Sequence, residues 1–210
     1  MNPWLLPLNH PSFFIEGIIY ITEMDIKDIL KASYKTQREA KEQLGQQGWT
    51  YDPALSTIKD KVFLDQAGNP VVLHRGSKRI GEDWIMSNLP LAFGMEKYSP
   101  RFQESKKVIT QVKEKYDKPV TSIGHSLGGA LAEKSGAEKV ITYQKGTGLF
   151  DVAKQIPWNQ TDIRTKYDLP SALSSYQTGG NKISLEGSVL PITTHSIDAG
   201  LPVGTFFYEN

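Results

Sequence analysis

The sequence has 210 residues, 24 Lys+Arg against 23 Asp+Glu, no cysteine and a mean hydropathy of −0.38. That length suits one domain with a real core. The missing cysteine excludes disulfides, thiolate metal sites, iron–sulfur clusters and a cysteine nucleophile, and balanced charge without a Lys/Arg stripe gives no footprint for nucleic acid.

No apolar stretch reaches the length of a membrane span. The first charged residue is Glu16, so the basic start of a signal peptide is missing. A soluble, single-domain globular protein is the expectation. Residues 1–23 stand apart as an apolar N-terminal extension, with residues 24–210 as the domain. In the extension, Trp4, Leu5, Leu6 and Leu8 sit among prolines, and Phe13 to Ile21 is apolar apart from Glu16 and Gly17. Three readings stay open: an edge strand against the core, a segment that docks on a membrane surface or a protein assembly, or a disordered stretch or one upstream of a start at Met24. Pro3, Pro7 and Pro11 forbid a long helix there.

From Asp25 the period becomes helical. Ile26, Ile29, Leu30, Tyr34, Gln37, Ala40 and Leu44 predict one amphipathic helix, with Asp25 as N-cap and Gly45 or Gly48 as stop. Lys61–Asp65 and Val71–His74 flank Gln-Ala-Gly-Asn-Pro and read as a hairpin. Ser99-Pro100 opens a second helix with Phe102, Ser105, Ile109, Val112 and Tyr116 on one face. Strands are expected at Val120–Ile123, Val140–Tyr143 and Ile163–Tyr167, with a helix of small residues from Ser126 to Gly136 after the first. Strand, helix, strand in close succession predicts parallel pairing and an α/β fold.

Gly124-His125-Ser126-Leu127-Gly128-Gly129 lies between that strand and that helix. A nucleophile elbow needs a sharp strand-to-helix turn, and flanking glycines let backbone approach without a Cβ clash. Ser126 is then the candidate nucleophile, and the Leu127 amide at the helix N-terminus faces a developing oxyanion. A serine hydroxyl needs a base held by an acid, in the chain order Ser, acid, His. His10, His74 and His125 precede Ser126, so His195 is the candidate base. Asp168 follows the Ile163–Tyr167 strand and is the favoured acid. Asp151 and Glu186 are weaker candidates, and Asp162 falls at the wrong end of that strand.

His74-Arg75-Gly76-Ser77, Asp83-Trp84 and Gly124 to Ala132 together resemble the class 3 lipases, the fungal triacylglycerol lipase-like branch of the α/β-hydrolases. The resemblance implies an α/β-hydrolase fold, with a mostly parallel sheet flanked by helices. It also implies Ser77 as a second oxyanion donor beside Leu127. Arg79 to Gly94 corresponds to the lid, with Trp84, Ile85, Met86, Leu89 and Phe93 either covering the serine or packing as a core crossover. Tyr167-Asp168-Leu169-Pro170 resembles a shortened form of the family's acid turn. A lipid or other ester substrate is implied, with no cofactor, no metal and no nucleic acid. Arg75 has the ordinary alternative role of tying a loop through a salt bridge.

Two features depart from the family: the stretch from Ser126 to His195 is compact, and Gln144-Lys145-Gly146-Thr147-Gly148 replaces the usual Gly-x-Pro. The compact form is similar to lipase-like proteins of large DNA viruses, which points to an intracellular or virion location. The expected function is a serine ester hydrolase acting on glycerolipids. A non-catalytic lipase-like protein, docking through its N-terminal segment, is the alternative.

Overall fold

A computed structural model describes residues 26–77, 100–148, 151–186 and 195–198. Its centre is a seven-stranded sheet whose strands lie in chain order: β1 (Thr50–Tyr51), β2 (Asp60–Leu64), β3 (Pro70–His74), β4 (Thr121–His125), β5 (Lys139–Tyr143), β6 (Gln155–Thr165) and β7 (Thr178–Leu185). The first three pair antiparallel, and every pair from β3 to β7 is parallel. This mixed, mostly parallel sheet with flanking helices is an α/β fold consistent with α/β-hydrolase architecture. None of the described helices is long and apolar enough to cross a membrane.

Alternation along the strands sorts side chains onto two faces. Val71, Leu73, Phe63, Ile123 and Ile141 join one core cluster with α1 (Ile26–Tyr34) and α2 (Gln37–Gly45). Val62 and Val72, paired in register, join the other cluster with Val108, Ile109 and Val112 of α3 (Pro100–Tyr116). The helix α4 (Leu127–Lys134) packs against β3, β4 and β5. The predicted hairpin, second helix, elbow helix and parallel strands are all present.

Three expectations need correction. The single helix over Ile26 to Leu44 is two helices. Lys61 donates to the Ser33 carbonyl at 2.6 Å at the end of the first, and Thr36 starts the second with a capping box to Glu39. The strand expected over Ile163–Tyr167 begins at Gln155 and ends at Thr165, with a register irregularity between Ile156 and Thr161. Asp162 therefore lies inside β6, not at its end. β7 was not expected at all: its alternation is weak and it begins Thr178-Gly179-Gly180. The N-terminal extension, Ser99 and the Arg79–Gly94 segment lie outside the described residues.

Candidate active site

All five residues of β4 are buried, and the chain turns at once from His125 into α4. Ser126 takes the turn with φ 58° and ψ −124°, a conformation that side chains rarely adopt and that the surrounding contacts must hold. Those contacts need glycine. A Cβ at Gly124 would lie 2.1 Å from the Gly128 carbonyl oxygen, and one at Gly128 would lie 2.2 Å from the His74 carbonyl oxygen. Ser126 occupies the N-cap position of α4 but makes no capping bond, which leaves its hydroxyl for another partner.

That partner is His195. Its Nε2 lies 2.9 Å from Ser126 Oγ, and its Nδ1 lies 2.8 Å from Asp168 Oδ1. The Asp168 carboxylate can only accept, so Nδ1 carries the proton and Nε2 accepts from the serine hydroxyl. Asp168 is fixed independently: it caps the short helix α5 (Leu169–Ala172), with Oδ2 accepting from the Ser171 amide at 3.0 Å. All three side chains are buried. The structure thus brings Ser126, His195 and Asp168 into one hydrogen-bonded line. The other acids are engaged elsewhere, Asp151 with Lys134 and Lys154, Asp162 with Thr142 and Lys145, and Glu186 with Lys166.

A cleft of about 410 Å³ opens beside His195, lined also by Ser77, Tyr34, His125, Lys31, Lys35 and Asp198. Gly76 holds Ser77 close to the elbow, since a Cβ on it would meet Tyr34 Oη at 2.3 Å and the His125 carbonyl at 2.7 Å. Leu127 opens α4, so its amide belongs to the unsatisfied donors of a helix N-terminus. Trp84, Ile85, Met86, Leu89 and Phe93 lie outside the described residues.

His125 is the elbow's own support. Gln144 donates its amide to Thr165 Oγ1 at 2.8 Å, which turns its carbonyl oxygen to His125 Nε2 at 3.2 Å. That nitrogen therefore donates, and Nδ1 accepts from the Tyr34 hydroxyl at 2.8 Å. Burial, reinforced by the nearby His195, pushes the His125 pKa down to about 3. The ring stays neutral in the middle of the site.

Comparison with known proteins adds to this geometry. A family model described as a phospholipase-like, Tle-like phospholipase domain matches residues 23–153. The chain belongs to this phospholipase-like family. The matched region of the phospholipase-like domain contains Ser77 and the elbow; Asp168 and His195 lie beyond it. Among solved structures, a fungal lipase–inhibitor complex presented as a model for interfacial activation aligns at 17% identity and a TM-score of 0.46, over 78% of this chain and 76% of that one. No curated protein matches the sequence. The family match supports a phospholipase-like hydrolase in general terms.

The phospholipase-like domain also holds a second line that sequence reading missed. His74 Nδ1 lies 2.7 Å from Asp60 Oδ1, and its Nε2 lies 2.8 Å from Ser122 Oγ. Arg101 of α3 clamps Asp60 through two nitrogens. Burial opposes the charge on Asp60, but His74 and Arg101 outweigh it and hold the carboxyl well below the usual range. Asp60, His74 and Ser122 are fully buried, so this line ties β2, β3, β4 and α3 together away from solvent. Among the described residues Arg75 pairs with no carboxylate, while Arg101 ties α3 to Asp60 of β2. Lys145 is buried between Glu133 and Asp162. Among the described residues, no group of three His, Asp or Glu side chains could hold a metal ion.

Proposed function

We propose that this chain is a serine ester hydrolase acting on acyl esters of glycerolipids, with Ser126 as nucleophile, His195 as general base and acid, and Asp168 as the group that orients it. The observation that carries the reading is the hydrogen-bonded line Ser126–His195–Asp168, at a strained turn beside an open cleft. Ser126 Oγ attacks the ester carbonyl carbon while its proton passes to His195 Nε2. The Leu127 amide and Ser77 donate to the resulting oxyanion, each such donor contributing about 3 kcal/mol. Collapse of the tetrahedral intermediate breaks the ester C–O bond, and the departing alkoxide takes the proton from His195. Water then attacks the acyl-enzyme, giving a proton to His195, which returns it to Ser126 as the acid leaves. Asp168 keeps the imidazole in the required tautomer throughout.

Within this reading, residues 24–210 work as one hydrolase domain, and the motifs His74–Ser77 and Gly124–Ala132 support a kinship with the class 3 lipases. Fluorophosphonate labelling of the full chain tests the proposal. The wild type is expected to label, whereas Ser126→Ala and His195→Ala lose labelling and lose ester turnover by on the order of 10⁴-fold or more. Labelling that persists in Ser126→Ala would overturn the assignment. A folded wild type that neither labels nor turns over esters would favour the non-catalytic lipase-like alternative.

A further inference from the structure

Ser126 is not the only strained residue at the elbow. Gln144, just past the end of β5, also holds a positive φ, at 46°. The segment 143–146 grips the nucleophile's backbone from both sides. The Ser126 amide donates to the Tyr143 carbonyl at 3.1 Å, and the Gly146 amide donates to the Ser126 carbonyl at 3.3 Å. Lys145 lies between these contacts, so close to α4 that a Cβ on Gly129 would stand 2.7 Å from its own Cβ. Its side chain is only 2% exposed, and its ammonium pairs with Glu133 of α4 and lies 2.5 Å from Asp162 Oδ2 of β6. Gln160 Nε2 closes the ring, donating to Glu133 Oε2 at 2.9 Å and to Asp162 Oδ1 at 2.7 Å. Thr142 Oγ1 donates to that same Asp162 oxygen at 2.7 Å. Among the described residues, those lining the cleft do not include Lys145.

We propose that Lys145 is a positioning residue for Ser126: its ammonium ties the segment 143–146 to α4 and β6, and so holds the elbow backbone in the conformation that aims Oγ at His195. The inference rests on the ester-hydrolase reading for the reaction, and on the ring of ion pairs for the positioning. A positive φ at a serine persists only where its surroundings over-determine it. The two amide bonds do that only if the segment making them is itself fixed, and Gln144 is strained in its turn. A buried ammonium held by acids on two different elements fixes it. Such pairs add little net stability over apolar residues of the same shape, because desolvation offsets the attraction. What they impose is geometry, since the cation must sit between both carboxylates. Geometry matters here, because a shift of about 1 Å at a reacting group can cost about 100-fold in rate.

Two variants of the full chain separate positioning from stability. Lys145→Met leaves Glu133 and Asp162 buried without their cation and is expected to lower the unfolding midpoint strongly. Lys145→Met/Glu133→Gln/Asp162→Asn removes all three charges and is expected to recover most of that midpoint while keeping the catalytic defect. On a soluble p-nitrophenyl ester, kcat of the triple variant should fall about tenfold or more with KM within about twofold of wild type. Its fluorophosphonate labelling rate should fall by a similar factor. Recovery of kcat together with the midpoint, or a defect confined to KM, overturns the proposal. A second arm needs no turnover. Hydrogen exchange followed by NMR should be about tenfold or more faster at the Ser126 and Gly146 amides of the triple variant, while amides inside β3 keep wild-type rates. Equal protection of Ser126 and Gly146 in the two proteins overturns the proposal as well. A wild type that neither labels nor hydrolyses esters would refute the enzyme reading alone, and the exchange arm would still decide whether Lys145 holds the elbow.

Discussion

Ser122 and Ser126 stand four residues apart on β4 and its turn, and each meets a histidine that meets an aspartate. Hydrogen-bond pattern alone does not separate them; access and backbone do. Ser122 lies inside a regular strand at zero exposure, whereas Ser126 sits on a positive-φ turn and bonds His195, which lines the cleft. Ser122→Ala is therefore expected to keep full fluorophosphonate labelling while lowering stability by about 1–2 kcal/mol, because His74 Nε2 loses its partner in a dry site. Denaturant unfolding and labelling on the same preparation check this, and lost labelling would mean that the wrong serine was assigned. The two lines differ in legibility as well. Chain order alone singles out His195, and its partners Ser126 and Asp168 follow from a motif and a strand end. The buried line draws Asp60, His74, Arg101 and Ser122 from four separate segments with no motif spacing, so only the fold reveals it.

At the scale of elements, the site depends on how closely α4 docks beneath β3. The Gly128 Cα faces the His74 carbonyl so tightly that a Cβ would stand 2.2 Å from that oxygen and 3.0 Å from the Gly76 amide nitrogen. Both neighbours are backbone and cannot rotate aside. Gly128→Ala must push α4 and the 74–77 segment apart, moving Leu127 and Ser77 away from each other. A stability loss of about 1–3 kcal/mol is expected from the overpacking, with kcat falling more than KM rises. Thermal unfolding and steady-state kinetics read the two effects, and unchanged kcat in a folded Gly128→Ala protein would count against Ser77 and Leu127 acting together. The glycines were legible because an elbow demands them. The break between α1 and α2 was not, because Tyr34, Gln37 and Ala40 carry the helical period across Lys35 and Thr36, while the Thr36–Glu39 capping box starts a new helix there. β7 escaped for a related reason: strand propensity is low where two glycines open a half-polar segment, and pairing with β6 supplies what propensity lacks.

For the molecule as a whole, one buried ring couples the site to folding. His125 bridges α1 through Tyr34 and, through Gln144 and Thr165, the ends of β5 and β6. The folded chain resists protonating it until about pH 3, whereas an unfolded chain does so near the usual 6.5. Between those values the unfolded state holds the extra proton, so stability falls as pH drops through that interval. Asp60 acts in the same direction but lower down. Its depressed carboxyl contributes stability that is fully present above the usual 3.8 and is lost as pH falls through its folded value. The window from pH 6 to pH 4.5 therefore separates the histidine from the buried aspartate. Urea unfolding across it should show a wild-type decline that includes about 1.4 kcal/mol per pH unit from this one proton. His125→Gln cannot take up the proton, so its stability should decline less steeply by that same amount, even if it starts lower for loss of the Tyr34 contact. Parallel declines in the two proteins would mean that His125 titrates normally when folded, and that the elbow tolerates a charged imidazole beside His195.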